Sequence, residues 1–143
     1  MPEENVQKGG AMSAGRILVV DDEADVRKLV RRTFTKAGYV EAEDGDKAIK
    51  EIRSGDNPIM VDAIICDIHM PKVNGMEAIA FFRQQFPAVP VIVLTGEPEV
   101  AGATHLFKQG IVDYLAKPIS PEKLTEVVRK AVKGHVFKDP FKA

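Results

Sequence analysis

The chain has 143 residues, 45% of them hydrophobic and 29% charged, with a net charge of -1. That length suits one domain with a full core, and the lack of a Lys and Arg surplus argues against nucleic-acid binding. A single cysteine, Cys66, excludes an internal disulfide and a Cys-based zinc cluster and fits a reducing cytoplasm, while no apolar run approaches the roughly 18 residues of a membrane span.

Residues 1–15 carry no apolar core of the kind a signal peptide needs and read as a disordered tail. The folded domain is expected over residues 16–134, with 135–143 as a C-terminal tail. Arg16 to Val20 is a mostly β-branched run that stops at Asp21-Asp22-Glu23, the pattern of a buried strand ending in carboxylates. From Asp25 the spacing turns helical. Val26, Leu29, Val30, Thr33 and Phe34 share one face, Arg27, Lys28, Arg31, Arg32 and Lys36 face away, and Gly38 is expected to end the helix.

A short strand follows over Tyr39 to Glu43, then an Asp44-Gly45 turn, with Asp46 as N-cap of a second helix through Ala48, Ile49 and Ile52. The segment Ser54 to Val61 reads as a loop. Asp62 to Asp67 is a nearly unbroken apolar run ending in a carboxylate, as in a strand covered on both faces. After Pro71, Asn74 is a candidate cap for a third helix that buries Met76, Ile79 and Phe82 and stops before Pro87.

Val89 to Leu94 is the next strand, ending at Thr95-Gly96. Glu97-Pro98 opens a fourth helix through Ala101, Leu106 and Phe107, which Gly110 stops. Ile111 to Ala116 is the last strand, closed by Lys117-Pro118. Ser120-Pro121 then gives an N-cap and first-turn proline to a fifth helix with Leu124, Val127, Val128, Ala131 and Val132 inward, and Gly134 as its end. Five strands alternating with five helices predict an α/β fold, a doubly wound parallel sheet with helices on both faces.

Strand ends in such sheets gather the chemistry at one edge. Here that edge receives Asp21 and Asp22, then Asp67, Thr95 and Lys117. Carboxylates crowded together repel by roughly 4 kcal/mol per pair at 4 Å and an effective dielectric of 20, so the pocket calls for cations. Lys117 supplies one charge. An all-oxygen donor set suits Mg²⁺ for the rest. A carboxylate beside Mg²⁺ and a lysine is placed to take a phosphoryl group as an acyl phosphate, with Thr95 adding a hydroxyl.

Ile17 to Glu23, Glu43-Asp44-Gly45, Asp67-Ile68-His69-Met70-Pro71 with Asn74-Gly75, Leu94-Thr95-Gly96 and Tyr114 to Pro118 together resemble the receiver domain of bacterial response regulators, in particular its single-domain, chemotaxis-regulator-like members. The resemblance covers about residues 16–134. It implies a flavodoxin-like (βα)5 fold with strand order 2-1-3-4-5, an order for which a receiver is a standing example. It implies Asp67 as phosphoacceptor for a phosphoryl group from a sensor histidine kinase or histidine phosphotransfer protein in a phosphorelay. It further implies Mg²⁺ held by Asp21, Asp22, Asp67 and the main-chain carbonyl of His69. By the same resemblance Thr95 and Lys117 would contact the phosphoryl oxygens, and Tyr114 would change rotamer on activation, altering the surface of the fourth helix, last strand and fifth helix. The family's Lys-Pro bond, here Lys117-Pro118, is usually cis.

Two departures stand out. Gly38 to Gly45 is about two residues shorter than is usual in the family, which predicts a stubby edge strand, and the loop Ser54 to Val61 is longer. With no output domain after Gly134, the expected protein is a stand-alone receiver that is not an enzyme beyond its own phosphoryl transfer and autodephosphorylation. It would signal to a separate effector in the cytoplasm, without nucleic-acid or membrane contact. Two alternatives compete. A phosphatase of the haloacid dehalogenase type also uses an aspartate nucleophile and Mg²⁺, but wants a second aspartate where His69 stands; a docking module would need no phosphorylation at all. Cys66 reads as a core residue, His69 as a loop histidine that overhangs the pocket or, with Glu97, tunes water access to the acyl phosphate. His105 and His135 read as surface residues. The basic side of the first helix is either a solvated face or part of a kinase contact.

Overall fold

A computed structural model of the chain describes residues 15–70 and 75–133. Five strands, β1 (Arg16–Val20), β2 (Gly38–Ala42), β3 (Val61–Cys66), β4 (Val91–Thr95) and β5 (Asp113–Ala116), form one parallel sheet in the order β2-β1-β3-β4-β5. This is the expected 2-1-3-4-5 order. The five longer helices are α1 (Ala24–Thr33), α2 (Gly45–Ile52), α3 (Gly75–Gln85), α4 (Val100–Gln109) and α5 (Pro121–Lys133).

Because successive strand residues point to opposite faces, the sheet divides its apolar side chains between two layers. Ile17, Val19, Ala63, Ile65, Ile92 and Leu94 pack against Val30 of α1, Phe34 just past its end, and Leu124, Val128 and Val132 of α5. On the other face Leu18, Val20, Ile64, Cys66, Val91 and Val93 meet Ala48 and Ile52 of α2, Ile79 and Phe82 of α3, and Leu106 of α4. A fully buried side chain such as Phe82 contributes about 1.5–3 kcal/mol, so both layers are needed to hold the sheet. Covered from both sides, β3 is buried along its entire length.

Several expectations need correcting. The predicted loop after α2 contains a sixth helix, the single turn Asn57–Met60. Pro58 suits a first helical turn, and the Arg16 guanidinium holds the turn down by donating to Asp56 and to Asn57 Oδ1 at 2.8 Å. Gly38 does not end α1: the helix stops at Thr33, and Gly38 opens β2, its amide donating to the carbonyl of Gly15. The edge strand is not stubby either. All five residues of β2 pair with β1 from Arg16↔Gly38 to Val20↔Ala42. The N-cap of α2 is Asp44, which accepts from Lys47 N at 2.8 Å, and not Asp46. Helix α4 starts two residues after Pro98, from an extended Glu99, and Phe107 lies exposed on it. Regular β5 begins at Asp113, although Val112 N already donates to Val91 O.

Other expectations match. Gly110 closes α4 in the left-handed region at φ 104°, Ser120 Oγ accepts from Lys123 N at the start of α5, and the Lys117–Pro118 bond is cis. The expected cap Asn74, the terminal tails and the stop at Gly134 lie outside the described residues.

Candidate phosphoacceptor site

The site grows out of the sheet's hydrogen-bond ladder. Past the end of β3, Asp67 N donates to Val20 O at 2.8 Å; past β1, Asp21 N donates to Ala42 O at 3.0 Å; past β5, Lys117 N donates to Thr95 O at 2.7 Å. Each reactive residue is therefore held by the neighbouring strand, one step beyond regular structure. Backbone position is fixed before any side chain makes a contact.

Lys117 is the hub. Its ammonium lies 2.8 Å from Asp21 Oδ2, 3.1 Å from Glu23 Oε1 and 3.2 Å from Asp67 Oδ2. Asp21 and Asp67 are buried, and Lys117 is nearly so. The second oxygen of each aspartate is held by an amide two residues on: Asp21 Oδ1 accepts from Glu23 N at 2.9 Å, and Asp67 Oδ1 from His69 N at 3.1 Å. Asp22 is exposed at the rim, yet one carboxylate oxygen from each of Asp21, Asp22 and Asp67 lies within 4.8 Å of the others. Thr95 is wholly buried, its Oγ1 accepting from Glu97 N at 3.1 Å.

Burial pushes the Asp21 carboxyl above its ordinary range, and the Lys117 hydrogen bond and charge offset only part of that. For Lys117, burial pulls the ammonium downward, but the hydrogen bond and charge of Asp21 and the charge of Asp67 outweigh it and hold the group above the usual lysine range. The ionised form of Asp21 is thus short of positive charge even with Lys117 in place. Three convergent carboxylate oxygens and a buried anion that wants more cation fit a hard divalent ion such as Mg²⁺. Burial also drives the Cys66 thiol far upward, which leaves it the inert core residue its sequence position suggests.

The predicted set is thus assembled as Asp21, Asp22, Asp67, Thr95 and Lys117 at one edge. His69 is exposed, and its amide supports Asp67. Tyr114 sits apart on edge strand β5, its hydroxyl accepting from Glu99 N at 3.1 Å at the start of α4. Two contributors were not foreseen. Arg27 does not face away from the fold: its guanidinium donates to Asp21 O at 2.6 Å and pairs with Glu41 at 3.3 Å, tying the end of β1 to β2. Glu23, the third acid of the Asp21-Asp22-Glu23 run, sends its carboxylate to Lys117; the run itself was the only signal for it.

The sequence profile of the response regulator receiver domain matches residues 17–129. The chain belongs to that family. As a receiver it is 31% identical over 121 residues to the chemotaxis protein CheY of Thermotoga maritima, covering 82% of this chain and 98% of that one. The transcriptional regulatory protein ResD of Bacillus subtilis is 38% identical over 111 residues, 76% of this chain and 44% of ResD, and the DNA-binding transcriptional regulator NtrC of Proteus hauseri is 28% identical over 85% of this chain. The receiver spans only 25% of NtrC and 44% of ResD. Among solved structures, Vibrio cholerae CheY4 superposes with a TM-score of 0.74 at 26% identity, over 82% of this chain and 98% of that one. A signal receiver domain of an HD domain-containing protein from Pseudomonas fluorescens gives 0.77 at 26% identity, over 85% and 97%. Among the described residues no helix is long and apolar enough to cross a membrane.

Proposed function

We propose that this receiver is a Mg²⁺-dependent phosphorylation switch in which Asp67 accepts a phosphoryl group from a phosphohistidine of a sensor kinase or phosphotransfer protein. The observation that carries the reading is the meeting of Asp67 Oδ2 and Lys117 Nζ at 3.2 Å, beside the buried Asp21. Asp21, Asp22, Asp67 and the main-chain carbonyl of His69 would hold the ion. When bound, Mg²⁺ supplies charge neutralisation for the transferring oxygens.

The chain's own part is positioning and electrostatics. An oxygen of Asp67 bonds to phosphorus as the donor's phosphorus–nitrogen bond breaks, and the imidazole leaves. Lys117, already beside Asp67, pairs with the phosphoryl oxygens, and Thr95 Oγ1, free to donate while accepting from Glu97 N, offers them a hydroxyl hydrogen. Drawing Thr95 toward the phosphoryl group opens space for Tyr114 to turn inward, which gives up its bond to Glu99 N and alters the face made by α4, β5 and α5. Exposed apolar groups lie on α4, with Val100 at 84% and Phe107 at 47%, and just before β5, with Val112 at 46%, and they suit a protein effector better than nucleic acid. Beyond its own phosphorylation and dephosphorylation, with His69 and Glu97 flanking the pocket, the domain turns over no substrate, and its setting is the cytoplasm. To carry such a switch from 1:99 to 99:1 needs about 5.5 kcal/mol of differential stabilisation.

Acetyl phosphate with Mg²⁺ tests the reading directly. One phosphoryl group per chain should be incorporated, lost in Asp67→Asn and on chelation of Mg²⁺. Equal labelling of Asp67→Asn would overturn it.

A further inference from the structure

Lys117 faces a conflict that the geometry exposes. Two of its three partners, Asp21 and Asp67, belong to the carboxylate trio that fits a divalent ion, so an ammonium resting on them competes with the ion for the same two carboxylates. The third partner, Glu23, lies outside that trio.

We propose that Glu23 is a positioning residue for Lys117: its carboxylate draws the ammonium toward the rim, so that metal can take the buried aspartates while the lysine stays within reach of the phosphoryl group. The inference rests on the phosphoacceptor reading of Asp67. Three observations carry it. Glu23 Oε1 is 3.1 Å from Lys117 Nζ, no farther than Asp67 Oδ2. The backbone of Glu23 is anchored: its N–H donates to Asp21 Oδ1, and its carbonyl accepts from Val26 N and Arg27 N as the first turn of α1 begins. Lastly, Glu23 occupies the N-cap position of α1, yet its side chain makes no capping hydrogen bond and is spent on Lys117 instead. Glutamate is outside the Ser, Thr, Asp and Asn set that caps well at that position, and its longer side chain reaches instead to a residue 94 positions away.

Glu23 is itself 61% exposed on the side chain, so the effect is that of a screened pair and not of a buried one. Removing it leaves Lys117 only the metal's own oxygens to rest on. Mg²⁺ affinity of Glu23→Gln should therefore fall about two- to fivefold, the range an exposed ion pair supports, with the thermal midpoint of the metal-free protein nearly unchanged.

The test is an Mg²⁺ titration followed by amide NMR for wild type, Glu23→Gln, Lys117→Met and the double variant, with acetyl phosphate labelling of the wild type alongside. The expected result is weaker Mg²⁺ binding in Glu23→Gln and no further weakening when the same change is made in Lys117→Met. An unchanged dissociation constant in Glu23→Gln, or an equal loss in the Lys117→Met background, would overturn the proposal, the second because Glu23 would then act by its charge alone. Failure of the wild type to label at Asp67 would instead count against the phosphoacceptor reading and leave the metal titration to decide on Glu23.

Discussion

Gly75, the first residue of α3, lies against the backbone that carries Asp67. A Cβ built on it would sit 1.9 Å from the carbonyl oxygen of Asp67 and 2.5 Å from the Cα of Ile68. Both are main-chain atoms, so no side chain can swing away to make room. To reach ordinary contact the two segments must part by about 1.5 Å, and the hydrogen bond from Gly75 N to Ile68 O, at 3.3 Å, has no slack to give. Overpacking of this kind costs about 1–3 kcal/mol; at the first helical position the better propensity of alanine returns less than the ~1 kcal/mol of a helix interior. Gly75→Ala should therefore lose about 2 kcal/mol in urea unfolding. Because the displaced atoms belong to Asp67 and Ile68, acetyl phosphate labelling should slow by about 10²-fold, as expected for a reacting group misplaced by about 1 Å. Gly96→Ala is the control, since a Cβ there meets nothing within 4 Å. Wild-type stability together with wild-type labelling in Gly75→Ala would refute the reasoning.

Asp21→Asn should raise the stability of the metal-free protein and abolish stabilisation by Mg²⁺. Burial lifts the Asp21 carboxyl in the folded state, so the folded form holds its proton to higher pH than the unfolded chain does, and stability falls as pH rises from the unfolded toward the folded value. Thermal melts at pH 4 to 8 check the sign: the difference between variant and wild type should grow with pH. Protons should also compete with Mg²⁺ from above the usual carboxylate range. Lys117→Met leaves Asp21 and Asp67 without their shared cation and should cost about 3 kcal/mol in the metal-free state, with Mg²⁺ restoring more stability than it adds to the wild type. The raised lysine contributes stability present below its unfolded value and lost as pH climbs through the folded one, so the wild type should weaken relative to Lys117→Met only in the alkaline range. Gly110→Ala places a Cβ at φ 104° and 2.9 Å from the Arg83 guanidinium, and should lower stability by about 1–2 kcal/mol in the same melts.

The parts of the fold written as composition were legible: the apolar runs of β1, β3 and β4 cannot be satisfied except between two helical layers, and their ends named Asp21, Asp67 and Thr95. Lys117 followed because a parallel sheet brings every strand end to the same edge. Features decided by tertiary contact were not legible. The turn Asn57–Met60 is too short to show a helical period and is held by Arg16, 40 residues away from Asp56. Arg27 sits at a helical position facing solvent by periodicity, yet a long side chain can bend back to Asp21 O and Glu41. Asp44 and Asp46 are both credible caps by residue type; only the extended backbone of Asp44 separates them. Glu23 was hidden among three consecutive acids.

The sheet is graded from side to side. Its centre, β3, is sealed throughout, whereas every residue of β5 is at least partly open to solvent. Opening free energies follow burial, so edge amides should exchange with deuterium through small local excursions while those around Asp67 wait for global unfolding. On the proposed function, chemistry is thereby seated on a fully buried strand and read out on an open one. Under that reading the edge can diversify toward new listeners without disturbing Asp67.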